Sequence, residues 1–385
     1  MKNQITNLII ILFVITGITG CRHSGTEDAL ITIEVTASYP ERKLILQDFL
    51  DVEYIPLETN DELVTQGVVM ATGSKYIIVK NRSHDGDIFV FDRNTGKAVR
   101  KINRKGNGPE EYIHVTDVVL EEENNELFVN CISTKKIFVY DLFGNFKRSF
   151  NHTEETRYMD VFNYDRDNLI CYNELVNYKA GENRESELFH LVVSKQDGSI
   201  TRNISIPFDV INPPVVEEGN GTVVTSVPPI IPYHDGWLLI ETSSDTVYNY
   251  LPKKNKLTSF LVKSPASNPE ILLTMGTITE RYYFFTTMKK VFDFSTGRGF
   301  PVTELMYDKQ ENAVYDCTVI NGDFVKRKTV DMNSHPVNNE IAAFQTIDAY
   351  QIVEAFKNDG LKGRLKEIAA GLNEESNPVI MVMKY

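Results

Sequence analysis

The chain has 385 residues and a formal charge of −13, with 42% hydrophobic residues, 18 Tyr and 21 Phe. So acidic a chain lacks the basic face that nucleic acid requires, and no nucleic-acid partner is expected. Its apolar content is enough for one large core or two ordinary ones.

Lys2 gives a positive start, and residues 8–15 (LIIILFVI) form an unbroken apolar run. The run is shorter than the ~20 residues that span a bilayer, so it reads as the apolar part of a signal peptide. Ile18-Thr19-Gly20-Cys21 follows. It resembles the lipobox of bacterial lipoproteins, whose Cys is acylated and becomes the mature N-terminus. Residues 1–20 are therefore expected to be a lipoprotein signal peptide, Cys21 the lipidation site, and residues 21–29 a polar tether. Acyl chains on Cys21 would hold the domain at a membrane of the cell envelope. Without Cys21, three widely spaced cysteines remain: Cys131, Cys171 and Cys317. No CxxC or Cys/His spacing suggests a metal site, so buried free thiols are expected, with one disulfide left open.

Residues 30–35 alternate apolar and polar side chains, as a half-buried strand does. Residues 52–57 read as a second strand, ending at Pro56. A four-stranded unit follows, over 68–71, 76–80, 87–92 and 97–102, and residues 106–150 make another. The third strand of each unit closes on a turn. Ile88-Phe89-Val90-Phe91-Asp92 leads to Gly96, and Ile137-Phe138-Val139-Tyr140-Asp141 leads to Gly144. Leu191-Val192-Val193-Ser194 leads to Gly198, and Val247-Tyr248-Asn249-Tyr250 to Asn255. Val291-Phe292-Asp293 leads to Gly297 with the Asp-to-Gly offset of Asp92 and Gly96. The spacing is roughly 44 to 56 residues with four short strands per repeat, the period of a β-propeller. Five hairpins are visible. The N-terminal strands and the segment from Ala313 would complete a sixth blade from both ends of the chain, with seven blades as the alternative.

Residues 341–356 carry apolar residues at three-to-four spacing and read as a helix. Residues 361–372 read as a second, shorter one, so a helical insertion is expected over about 341–372. A final strand starts after Asn377-Pro378.

Several of these stretches resemble a largely uncharacterised family of six-bladed β-propeller lipoproteins of Bacteroidota. They are Tyr54-Ile55-Pro56-Leu57-Glu58-Thr59, Gly106-Asn107-Gly108-Pro109-Glu110-Glu111-Tyr112, Asp245-Thr246-Val247-Tyr248 and Asn377-Pro378-Val379-Ile380. Glu110 stands where the family often has Gly, and Ser376 where it often has Asp. The resemblance implies an all-β, six-bladed propeller of four-stranded antiparallel blades over residues 30–385, with two short helices near the C-terminus. It carries over no catalytic, cofactor or metal residue, and no cofactor is expected.

Gly106-Asn107-Gly108 is not a phosphate loop: the third Gly is absent, Pro109 lacks an amide donor, and a strand follows. Glu110-Glu111 and Glu121-Glu122-Glu123 could serve a glycosidase or a calcium ion, though a solvated hairpin turn is the plainer account of the second cluster. Seven His are scattered, with no HExxH or HxH; His114 and His234 are the two that could face a central channel. Tyr158, Phe162, Tyr164, Tyr172, Tyr178, Tyr233, Trp237, Tyr282 and Tyr283 could include a platform for stacking sugars. Asp245-Thr246-Val247 also resembles a short O-glycosylation acceptor. Loops at 177–187 and 212–221 are expected to project from one rim and carry specificity.

The expectation is a lipid-anchored envelope module that binds or scaffolds a protein, peptide or glycan. The alternatives are a carbohydrate-active lyase or hydrolase using rim carboxylates, and a ligand-sensing accessory domain.

Overall fold

The protein is described by a computed structural model over residues 30–153, 156–173, 181, 188–264, 270–334 and 340–385. Residues 1–29, where the signal peptide, Cys21 and the tether are expected, and Tyr178 lie outside the described residues. The chain forms six antiparallel sheets set in a ring, the arrangement of a six-bladed β-propeller.

Blade 1 comprises Val68–Thr72, Tyr76–Lys80, Asp87–Asp92 and Ala98–Asn103. Blade 2 comprises Asp117–Glu121, Glu126–Cys131, Lys136–Asp141 and Phe146–Asn151. Blade 3 comprises Tyr158–Asn163, Asn168–Asn173, His190–Ser194 and Ile200–Ile204. Blade 4 comprises Ile230–Tyr233, Gly236–Leu239, Thr246–Leu251 and Lys256–Ser264. Blade 5 comprises Ile271–Ile278, Tyr282–Lys289, Val302–Asp308 and Ala313–Ile320. The sequence explains the layering. Second strands such as Glu126–Cys131 are buried at every position, because a neighbouring blade covers each face. Fourth strands such as Ala98–Asn103 are mostly exposed and correspondingly charged.

Among the described residues blade 6 has three strands: Ile341–Ile347, Val379–Lys384 and Asp51–Pro56. The N-terminal strand thus closes the ring on the C-terminal one, with Tyr54 opposite Met381 and Ile55 opposite Ile380. The two strands before it do not join blade 6. Ile31–Glu34 lies parallel along the outer strand of blade 4, and Glu41–Ile45 parallel along that of blade 5. The N-terminal segment therefore laces three consecutive blades together.

Three sequence readings are corrected. The sixth blade does not begin at Ala313, because Ala313–Ile320 pairs with Val302–Asp308 as the outer strand of blade 5. The helical insertion does not begin at 341, since Ile341–Ile347 is a strand paired with Val379–Lys384. Its apolar spacing reflects burial on both faces. The helices are α1, Ala349–Lys357, and α2, Gly363–Ala369. With Leu361 of their connection, they pack Ile352 and Leu365 into a core shared with Leu50, Tyr54 of blade 6 and Val319 of blade 5. In blade 5, Phe292–Asp293 belongs to a small separate hairpin with Arg298–Gly299. The true third strand is Val302–Asp308, and its turn residue is Asn312, at φ 51. Asn occupies the left-handed position that Gly fills in blades 1 to 3, which hid the repeat.

Two of the family-like motifs, residues 54–59 and 377–380, meet at the ring closure. Asn377 donates from Nδ2 to the carbonyls of Glu58 (2.7 Å) and Leu63 (2.6 Å) and accepts from the Thr65 amide (2.8 Å). Tyr112 of the Gly-Pro corner is fully buried and donates its hydroxyl to Gly86 O at 2.7 Å. Cys131, Cys171 and Cys317 are free and buried. Among the described residues no helix is long and apolar enough to cross a membrane.

Candidate functional site

The innermost strands run the same way around the ring. Connections that lead into them lie on one face, and the turns that leave them lie on the other, here called the turn face. His114 sits in a connection between blades 1 and 2, whereas His234 sits in the inner turn of blade 4 with a left-handed φ of 49. The two do not converge. His114 Nδ1 lies 3.2 Å from Ser133 Oγ, and its ring meets that of His84 edge-on at 5.6 Å. Burial holds its pKa below the usual histidine value, helped by nearby His84, Lys80 and Lys105.

Three of the acidic residues are committed to structure, while Glu110 and Glu123 are exposed. Glu111 folds back to accept from the Gly108 amide at 2.9 Å. Glu121 is 5% exposed and pairs with buried Lys195, which also donates to Asp165 O at 2.6 Å. Glu122 accepts from the Ser74 hydroxyl at 2.7 Å and from the amides of Ser74, Lys75 and Tyr76 at 2.8–3.0 Å. Burial would raise its pKa, but these donors hold it below the ordinary value. Glu121 and Glu122 are thus not the solvated turn that their sequence suggests, whereas Glu123 is exposed as expected. Among the described residues, no three His, Cys, Asp or Glu stand where they could share a metal ion.

The aromatic residues divide more informatively. Tyr158 is fully buried against His152, Tyr172 packs on His190, and Tyr282 lies in the core beside Phe49. Phe162, Tyr164 and Trp237 come together on the turn face. Trp237 follows the His234–Asp235 turn of blade 4, while Phe162 and Tyr164 end the inner strand of blade 3 and start its turn. Tyr164 and Trp237 are nearly parallel, 16° apart with centroids at 6.0 Å, and Phe162 is tilted against Trp237 at 6.3 Å. Together they wall a cavity of ≈ 620 Å³ between blades 3 and 4, with Arg202, Asp165, Asp235 and Lys253 around it. Trp237 is 8% exposed, and Phe162 and Tyr164 are half-buried.

The cavity continues around the His234–Asp235 turn. A second, of ≈ 560 Å³, is shared by blades 4 and 5 and the C-terminal Tyr385. A third, of ≈ 660 Å³, runs outward past Tyr233, Phe260 and Tyr283 to Leu30. The Tyr233 and Tyr283 hydroxyls lie 3.2 Å apart. These three cavities lie on the turn face, opposite the connection into blade 4 that holds residues 212–221; most of the other expected rim loop, 177–187, lies outside the described residues.

Residues 30–384 match the family described as a domain of unknown function, DUF4934. The chain belongs to that family. Among curated proteins none matches. A solved Bacteroides fragilis NCTC 9343 protein described as exported is similar at 15% identity and a TM-score of 0.60, covering 92% of this chain and 99% of its own. A DUF4221-family member from Bacteroides vulgatus has a TM-score of 0.49 at 11% identity, covering 88% of this chain and 99% of its own. Virginiamycin B lyase from Staphylococcus aureus reaches 0.36 at 11% identity, covering 66% of this chain and 73% of its own. At these identities the first supports the fold alone, and the other two add no argument. The Bacteroidota propeller family read from the motifs is borne out. In this DUF4934 chain the motifs close the ring or cap blades, so they speak of fold and not of chemistry.

Sequence reasoning named the aromatic residues without their grouping, and it missed Arg202. Arg202 stands in an outer strand of alternating exposure, ordinary in composition, and is 38 and 48 residues from its two tyrosine partners. Tyr164 is joined to it by the folding of blade 3, and Tyr250 only by the stacking of blade 3 on blade 4.

Proposed function

We propose that this protein is a lipid-anchored envelope module that binds a glycan on its turn face. The observation that carries the reading is the wall of Phe162, Tyr164 and Trp237 along an open cleft edged by polar groups. Flat, mostly apolar ring faces bordered by hydrogen-bonding side chains suit pyranose rings, which have apolar faces and hydroxyl edges. Glu111, Glu121 and Glu122, three of the acids expected to serve a hydrolase, are engaged in turns and an ion pair, which favours binding over turnover.

The anchor supports the same face. Ile31–Glu34 runs parallel to the outer strand of blade 4, so the chain emerges on the turn face, and Leu30 lines the third cavity. With Cys21 acylated, the tether of residues 21–29 would reach at most about 30 Å, keeping the cleft near the membrane. An exported relative of the same fold agrees with an envelope location.

The test is a glycan array probed with the mature chain and with Phe162→Ala, beside envelope fractionation of wild type and Cys21→Ala. Array binding that Phe162→Ala abolishes, and release of Cys21→Ala into the soluble fraction, are the expected results. No glycan bound by the wild type, together with a protein captured by crosslinking in the envelope, would replace this reading with a protein scaffold.

A further inference from the structure

We propose that the cleft between blades 3 and 4 takes a sugar acid, with Arg202 receiving its carboxylate and the Phe162–Tyr164 wall its ring. The proposal rests on the glycan-binding reading and names the ligand class.

Arg202 is held in place by neutral groups. Its Nη1 donates to the hydroxyl of Tyr250 at 2.6 Å and to that of Tyr164 at 3.2 Å, and Tyr250 donates onward to Asn255 Oδ1 at 2.9 Å. Other partly buried arginines meet carboxylates: Arg42 and Arg281 at Asp308, Arg93 at Glu53, and Arg148 at Glu126. Among the described residues no carboxylate lies within ion-pair distance of Arg202. Its Nε and Nη2 edge, the side that binds a carboxylate in two parallel hydrogen bonds, has no described partner.

The neighbouring charges leave that role open. Asp165 turns its Oδ1 onto the amides of Asp167 (2.9 Å) and Asn168 (2.8 Å) in its own turn. Asp235 faces Lys253 at 3.4 Å, both well exposed. His234 is the remaining titratable group on the cavity wall. The chain's net charge of −13 opposes an anion at long range, so the attraction must be local. A fixed guanidinium beside half-buried aromatic rings supplies it, and a uronic acid offers both complements on one ring.

The experiment titrates the mature chain with a uronic-acid hexasaccharide and with its carboxyl-reduced neutral counterpart, by calorimetry. The uronate should bind about tenfold tighter, the gain of one charge-assisted pair. Arg202→Gln should remove that preference, read as the ratio of the two affinities. Arg202→Lys, which keeps the charge and loses the fork, should retain part of it and guards against misfolding of the first variant. Equal affinity for the two sugars, or a preference that survives Arg202→Gln, overturns the assignment. Neutral binding that Phe162→Ala abolishes would in that case leave the glycan reading standing. Binding of neither sugar sinks both readings.

Discussion

A Cβ built on Gly96 would stand 2.0 Å from the carbonyl oxygen of Pro56, and that contact joins blade 1 to the strand that closes the ring. Gly96 has a φ of 68, in the left-handed region. The contact recurs: a Cβ on Gly144 would meet Ile102 at 3.0 Å, and one on Gly198 would meet Phe150 at 2.5 Å. In each case the outer turn of one blade seats on the outer strand of the blade before it. Gly297 provides a control, with a φ of 66 and nothing within 4 Å. Gly297→Ala should cost about 1 kcal/mol from backbone strain alone, and Gly96→Ala clearly more, because a carbonyl cannot move aside. Denaturant midpoints of the two variants decide it; equal losses would show that blade closure tolerates the intrusion.

Asn377 clamps the same junction from the other side. Its side chain satisfies two carbonyls and one amide, and its own amide donates to Thr59 Oγ1 at 2.7 Å. Asn377 is 2% exposed, so Asn377→Ala strands buried polar groups and should cost about 2–4 kcal/mol. Asn377→Asp tests the donor role separately: it keeps the acceptor for Thr65 but sets a carboxylate against two carbonyls. It should be at least as damaging as the alanine. A milder effect would mean that the donated bonds contribute little.

Lys195 is 5% exposed and bridges blades 2 and 3 through Glu121 and the Asp165 carbonyl. Removing one partner of a buried pair leaves the other charge uncompensated, so Lys195→Met should cost about 3–5 kcal/mol. The double variant Lys195→Met, Glu121→Leu should regain much of that loss. A thermodynamic cycle by chemical unfolding measures the coupling, and additive losses would show that the two side chains act separately.

The ring was legible because propeller repeats are written locally: an apolar third strand, a turn, a left-handed residue four positions on. Where Asn312 replaces glycine the signal passed to a neighbouring hairpin, since Asp293 and Gly297 reproduce the spacing without the pairing. Ile341–Ile347 was misread because burial on both faces erases the alternation that marks a strand. The cleft was legible only as a list of aromatic residues. Nothing local says that Tyr164 will lie on Trp237, because that contact is made between blades. Glu121 looked like a solvated turn because its partner Lys195 is 74 residues away.

Two titrating groups should oppose each other in acid. Asp117, half-buried on the inner strand of blade 2, accepts from the amides of Val118 (2.8 Å) and Val161 (3.1 Å). Burial nevertheless lifts its pKa from 3.8 to about 6. The folded state therefore holds this proton more tightly than the unfolded chain. The stability that this contributes is present in acid and is lost as pH rises from about 4 to about 6. His152 is the reverse. It lies 2.9 Å from Asn130 Oδ1 through Nε2, while its Nδ1 accepts from the Tyr158 amide at 3.2 Å, which fixes the neutral ring. Burial, aided by Lys135 and Arg157, lowers its pKa from 6.5 to about 4, so its contribution is lost as pH falls through that range. In the wild type the two slopes largely cancel between pH 4 and 6. Asp117→Asn should remove one of them and steepen the acid loss of stability by up to about 1.4 kcal/mol per pH unit. Unfolding free energies measured at half-unit intervals give the slope. A variant curve parallel to the wild type would mean that the Asp117 carboxyl is solvated well enough in the channel to ionise normally.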